Sequence, residues 1–295
     1  MSFTDNAYRE IPERFFERNE NGGEVVRITY EAADYVGGKG KYTKSAFVYL
    51  PRGYEDSTEK YNVLYLMHGG ADNERWYFES ENDYTPFRNM LDNMVAEGMM
   101  KPCIICTPTY MNPNSRSIPD SCKFFHRELL NEVIPAVEER FRCFAEDMSE
   151  ETLRRTRMHR AFGGFSMGSV TTWWTFMSML DKIAWYLPIS GDSWCVEEKG
   201  GSTHAERTAE LLAEAVRSSG LTAGDFYIYS GTGSEDIAYP NLTPQIEAMK
   251  RLTDVFTYCD SFDKGNLYFA VRENGYHDIH TVARIVYNGL PKFFR

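Results

Sequence analysis

Unbroken apolar runs recur along the chain: Val63 to Met67, Cys103 to Thr107, Arg160 to Phe165, Ala184 to Ile189, Phe226 to Tyr229 and Leu267 to Val271. Such runs mark strands buried on both faces, as in a parallel sheet flanked by helices. Two earlier segments, Val25 to Tyr30 and Ser45 to Leu50, alternate polar with apolar positions. That pattern predicts a half-exposed antiparallel hairpin joined through Gly37-Gly38-Lys39-Gly40. Helical periodicity fills stretches at about 83–98, 121–141, 168–181, 203–218, 243–258 and 279–289. Together these elements predict an α/β fold, a mostly parallel eight-stranded sheet with helices on both faces. Ligands gather at the carboxyl ends of strands in such sheets, so chemistry-bearing residues should directly follow a strand.

No internal repeat, low-complexity tract or Pro/Ser-rich linker divides the chain, which favours one domain at 23–295 with an N-terminal extension at 1–22. Of the 295 residues, 42% are hydrophobic and 15% aromatic, ample for a core and too many for a disordered chain. The 32 basic and 43 acidic side chains leave a net charge of −11. This argues against a nucleic-acid backbone or an anionic membrane as partner, since both need clustered Lys and Arg. The longest apolar stretches fall far short of the ~20 residues that span a bilayer.

Six cysteines, at 103, 106, 122, 143, 195 and 259, are too dispersed for a small disulfide scaffold. Cys103 and Cys106 have CxxC spacing, but residues three apart on a strand face opposite ways. They read as core thiols, and neither a metal nor another cofactor is expected. Unpaired thiols, and a segment Met1 to Glu20 without an apolar signal-peptide core, lead to the expectation of a cytoplasmic protein. Secretion is expected instead if a signal peptide has been trimmed away.

Gly164-Phe165-Ser166-Met167-Gly168 matches G-x-S-x-G between a predicted strand and a predicted helix. A tight strand–turn–helix there lifts the serine hydroxyl above the sheet, and the small flanking residues prevent clashes. The competing reading is an ordinary helix N-cap serine. A serine nucleophile needs a base, and His277 follows the last strand and precedes the final helix. His277 and His280 also form an HxxH pair, though no acidic partner at helical spacing supports a metal site. The orienting acid should lie between Ser166 and His277 at a strand end; Asp236 is the first choice, Glu235 the reserve and Asp192 a weaker rival. The order Ser166, Asp236, His277 is that of the α/β-hydrolase fold. For an oxyanion, backbone N–H donors are expected from Met167 and from His68-Gly69-Gly70-Ala71, with Gly70 assigned and Ala71 in reserve.

The stretches Tyr49-Leu50-Pro51-Arg52-Gly53-Tyr54, Tyr65 to Gly70, Gly163 to Gly168, Asn274 to Asp278 and Tyr287 to Phe294 resemble the esterase D-like α/β-hydrolases. Within that group the chain is most similar to carbohydrate esterase family one, over about residues 23–294. The resemblance implies a serine carboxylesterase with Ser166, His277 and Asp236 as its triad, releasing feruloyl or acetyl groups from xylan or xylo-oligosaccharides. A formylglutathione-type thioesterase or a siderophore esterase would share the triad, and a non-catalytic carbohydrate-binding scaffold is the alternative of another class. Trp76, after the HGG loop, and Trp194, after a later strand, lie where substrate would approach, and their faces suit a feruloyl ring or a sugar. Core or lid packing explains them equally well.

Overall fold

The computed structural model describes residues 8–115 and 117–295. Its strands are β1 (Glu24–Ala33), β2 (Lys41–Leu50), β3 (Asn62–Met67), β4 (Cys103–Thr107), β5 (Arg160–Phe165), β6 (Trp185–Ile189), β7 (Tyr227–Gly233) and β8 (Leu267–Arg272). They form one sheet in the order β1-β2-β4-β3-β5-β6-β7-β8. The β1–β2 and β2–β4 pairings are antiparallel and all others parallel. The helices are α1 (Pro86–Ala96), α2 (Ile118–Glu128), α3 (Ile134–Glu138), α4 (Glu150–Arg155), α5 (Met167–Met179), α6 (Gly200–Thr203), α7 (Ala205–Ser219), α8 (Tyr239–Arg251) and α9 (Ile279–Gly289). One face of the sheet packs apolar side chains of α2, α5, α7 and α8; the other packs α1 and α9. This is the fold of the α/β-hydrolases, with every strand from β3 onward covered on both sides.

Three expectations change. The hairpin is not half-exposed along its second strand, because Lys44 to Leu50 are all buried. β2 lies inside the sheet between β1 and β4, so helices cover both its faces. Lys44 tolerates this burial by pairing with Glu128 at 2.7 Å. The helix expected at 121–141 breaks into α2, a π-helical turn Leu129–Val133 and α3. Pro135 has no N–H to give the carbonyl one turn back, so the ladder slips register there. The helix expected at 243–258 starts earlier and ends at Arg251, because Thr257 and Tyr258 turn back to pair with the start of β8.

Of the N-terminal extension, residues 1–7 lie outside the described residues. From Tyr8 onward it docks on the domain. Ile11 and Phe15 are buried, and the Arg9 N–H donates to Asn288 Oδ1 at 2.8 Å. Cys103 and Cys106 enter opposite core layers, as their strand spacing requires, and all six cysteines are free thiols. No described helix is long and apolar enough to cross a membrane.

Candidate active site

Ser166 sits between β5 and α5 with φ 56° and ψ −113°, a backbone region costly for any residue with a Cβ. Such strain persists only where the surroundings impose it, and here two glycines allow it. A Cβ on Gly164 would lie 2.6 Å from the Gly168 carbonyl oxygen, and one on Gly168 would lie 2.5 Å from that of Met67. The G-x-S-x-G spacing is therefore a packing requirement: strand, turn and helix approach too closely for side chains at either position. The Ser166 hydroxyl makes no cap hydrogen bond to its helix. It lies instead 2.9 Å from His277 Nε2.

His277 follows β8, and Asp236 follows β7. The two turns are stitched together by Ser234 N–H to Arg272 O and Glu235 N–H to Gly275 O, each 2.9 Å, and by Asn274 N–H to Ser234 Oγ at 2.8 Å. His277 Nδ1 lies 2.7 Å from Asp236 Oδ1. A carboxylate only accepts, so Nδ1 carries the proton and Nε2 is free to take one from Ser166. Asp236 is buried, which by itself would raise its pKa. The hydrogen bonds to Oδ1 from His277 and the Ala238 N–H, with the Ser190 hydroxyl nearby, outweigh that, and the carboxyl is held below its ordinary value. The Phe165 ring lies 4.4 Å from the His277 imidazole and closes one side of it.

The rival acids are placed elsewhere. Glu235 is exposed. Asp192 is buried with its Oδ2 taken by the Gly201 N–H at 2.9 Å and its Oδ1 by the Trp194 indole at 3.3 Å. His280 lies on α9 and lines a neighbouring cavity. Among the described residues, no group of three or more His, Cys, Asp or Glu side chains is arranged to hold a metal ion.

The HGG loop reaches the nucleophile. A Cβ on Gly69 would be 3.5 Å from Ser166 Cβ, and one on Gly70 would be 3.3 Å from Met167 Cγ. Met167 opens α5, so its N–H has no helical carbonyl one turn back. Among the described residues, the Gly70 N–H reaches no backbone or side-chain acceptor. His68, by contrast, is a buried scaffold residue, bonded to Gly69 O and to Thr109 Oγ1, each at 2.7 Å. Burial pushes its pKa down to about 4.

Trp76 stacks on Phe165 and lines a cavity of about 670 Å³ together with Tyr77, Phe87 and Ile279, with Asp72 and Asp83 among its polar lining. Trp194 is half-buried against the opposite core layer and does not line that cavity. Trp173 is a core residue whose indole donates to Gly191 O at 3.0 Å. Phe165 and Tyr110 were not singled out from the sequence. Phe165 is the variable position of the elbow, which carries no pattern of its own. Tyr110 stands just past the carboxyl end of β4, the kind of place where functional residues are sought.

No protein-family model matches the chain. Endo-1,4-beta-xylanase Y of Acetivibrio thermocellus is 39% identical over 287 residues, which is 97% of this chain and 24% of that protein. The endo-1,4-beta-xylanase/feruloyl esterase of Xylanibacter ruminicola is 27% identical over 192 residues, 62% of this chain and again 24% of the relative. The chain thus spans about a quarter of the length of these curated relatives. Among solved structures, a serine-to-alanine mutant of the feruloyl esterase module from Clostridium thermocellum, complexed with sinapinate, superposes with a TM-score of 0.86 at 39% identity. That match covers 100% of this chain and 97% of the other. With near-complete mutual coverage at that identity, the chain belongs to the feruloyl esterase modules of carbohydrate esterase family one.

Proposed function

We propose that this chain is a serine carboxylesterase that releases hydroxycinnamoyl groups, feruloyl foremost, from substituted xylan or xylo-oligosaccharides. The observation that carries the reading is the continuous Ser166–His277–Asp236 relay, at 2.9 and 2.7 Å, in a chain of this family. Ser166 Oγ attacks the ester carbonyl while His277 Nε2 takes its proton. Asp236 holds the imidazole in the tautomer that can accept it and stabilises the imidazolium that forms. Negative charge develops on the former carbonyl oxygen, and the Gly70 and Met167 N–H groups are its donors in this reading. Collapse expels the sugar alcohol, which takes the proton back from His277. Water then attacks the acyl-serine by the same steps in reverse, freeing the acid and Ser166.

Feruloyl is preferred over acetyl on two grounds. The 39%-identical module is described in complex with sinapinate, a hydroxycinnamate. Trp76, stacked on the buried Phe165 beside His277, offers an apolar face that an acetyl group is too small to use.

The test is hydrolysis of methyl ferulate and p-nitrophenyl acetate by the intact protein and by Ser166→Ala. Turnover of methyl ferulate that disappears in Ser166→Ala is the expected result. Activity surviving in Ser166→Ala would overturn the nucleophile. Turnover of acetate alone would move the assignment to an acetyl esterase, and turnover of neither would favour a thioesterase or a carbohydrate-binding scaffold.

A further inference from the structure

Beside the triad runs a buried polar chain that the acyl-transfer steps do not use. The Gly69 carbonyl oxygen accepts from the Tyr110 hydroxyl at 2.6 Å and from His68 Nδ1 at 2.7 Å, which fills both of its lone pairs. With Nδ1–H spent on that carbonyl, His68 Nε2 accepts from the Thr109 hydroxyl at 2.7 Å. The Thr109 carbonyl is in turn bound by the ammonium of Lys44, which pairs with Glu128 at 2.7 Å. His68 and Tyr110 are 1% and 2% exposed and their rings are in contact, centroids 4.6 Å apart. The ion pair thereby anchors the segment just after β4 that carries Thr109 and Tyr110.

A trans peptide is planar, so the C=O of Gly69 and the N–H of Gly70 point in opposite directions. Holding the carbonyl inward, on two buried side chains, turns the Gly70 N–H outward, where it has no protein acceptor. A Gly-Gly peptide lacks the Cβ atoms that would otherwise restrict it. Left unheld, it is free to flip and present its carbonyl oxygen, a repulsive neighbour for an oxyanion, in place of the N–H.

We propose that His68 and Tyr110 are positioning residues that aim the Gly70 N–H at the developing oxyanion by clamping the Gly69 carbonyl. The proposal rests on the esterase reading above and assigns a task to groups that reading leaves idle. Burial suits the task, since it keeps the His68 imidazole neutral and in a single hydrogen-bonding role down to about pH 4.

The test compares Tyr110→Phe, His68→Leu and His68→Asn with the parent protein. Tyr110→Phe keeps the ring and removes one donor; His68→Asn keeps an amide nitrogen near the Nδ1 position. Four quantities are read: kcat and KM on methyl ferulate, inhibition by a trifluoromethyl ketone analogue whose serine adduct carries an oxyanion, and Tm. Tyr110→Phe is expected to lose about tenfold in kcat, part of the 10²–10³ that deleting a donor costs, with KM within about twofold. The ketone should weaken by the same factor. His68→Leu should lose more, and His68→Asn should recover most of it. A folded Tyr110→Phe with parental kcat, or a kcat loss without matching loss of ketone affinity, would overturn the clamp while leaving the esterase standing. No turnover by the parent would overturn the esterase reading and the clamp with it. A measurement that needs no variant is the Gly70 amide proton resonance of the parent: it should move downfield when the ketone adduct forms, and a stationary resonance would also overturn the clamp.

Discussion

The indole of Trp76 lies flat on the ring of Phe165, centroids 5.1 Å apart and planes 4° from parallel. Phe165 directly precedes Ser166 and also contacts His277. The side chain that lines the neighbouring cavity thus presses on the residue just before the nucleophile. Stacked aromatic pairs contribute about 0.5–1.5 kcal/mol beyond their buried area. Replacing Trp76 by Ala should lower kcat/KM on methyl ferulate roughly tenfold and on p-nitrophenyl acetate by about twofold. Steady-state kinetics on both esters decides the matter. Equal losses would mean that Trp76 acts only by supporting Phe165, not by meeting the aromatic acyl group.

Asp236, not Glu235, accepts the hydrogen bond from His277 Nδ1–H. Asp236→Asn should reduce kcat by about 10³–10⁴, because an amide stabilises the wrong imidazole tautomer. Glu235→Gln should stay within about twofold of the parent, as expected for an exposed group away from the relay. The pair of variants, assayed at pH 7 with circular dichroism as a folding control, separates the two carboxylates. A silent Asp236→Asn would sink this assignment.

His68 ties stability to pH. Its folded-state pKa of about 4 lies below the ordinary 6.5, because burial disfavours the charged ring. Between those values the unfolded chain binds a proton that the folded one does not. The stabilising contribution is therefore complete above about pH 6.5 and is lost as pH falls towards 4. Its ceiling is about 3 kcal/mol. Urea midpoints from pH 7 to pH 4 should fall more steeply in the parent than in His68→Asn, which has no ring to titrate. Parallel curves would contradict a neutral buried His68.

Arg160, at the start of β5, grips Glu138 on α3 through two hydrogen bonds, Nε to Oε1 at 2.6 Å and Nη2 to Oε2 at 2.8 Å. Both side chains are 1% exposed, and Tyr65 adds a third bond to Oε1 at 2.9 Å. Glu138→Ala would leave a buried guanidinium without its counter-charge and should cost about 3–5 kcal/mol. Chemical denaturation measures this directly. A loss under 1 kcal/mol would show that water enters to solvate Arg160.

Much of the fold is legible in sequence because its signals are local. Apolar runs mark β3 to β8, since strands covered on both faces have no polar face to reveal. The elbow is legible because its glycines answer to atoms close along the chain: Gly164 meets Gly168, four residues away. His277 could be placed because it follows the last strand. The acid could be narrowed only to a neighbourhood, since Asp236 and Glu235 are adjacent and differ only in which way the turn aims them. That turn is set by hydrogen bonds to residues 272–275, which local pattern does not record. The burial of β2 was likewise hidden. Its alternation describes a hairpin seen alone, whereas insertion beside β4 is a pairing between distant segments.

By itself, then, the sequence determined the eight strands and the longer helices in outline, the strained serine turn and the order of the reactive residues, because propensity, periodicity and close-neighbour sterics act over a few positions. Only the tertiary structure decided which carboxylate meets the imidazole, that Trp76 and Trp194 face different surroundings, and that His68 and Tyr110 share one carbonyl. These outcomes depend on contacts between residues such as Ser166 and His277, 111 positions apart. Such contacts exist only after the chain has lost the entropy that kept those residues apart, and no local pattern encodes their final geometry.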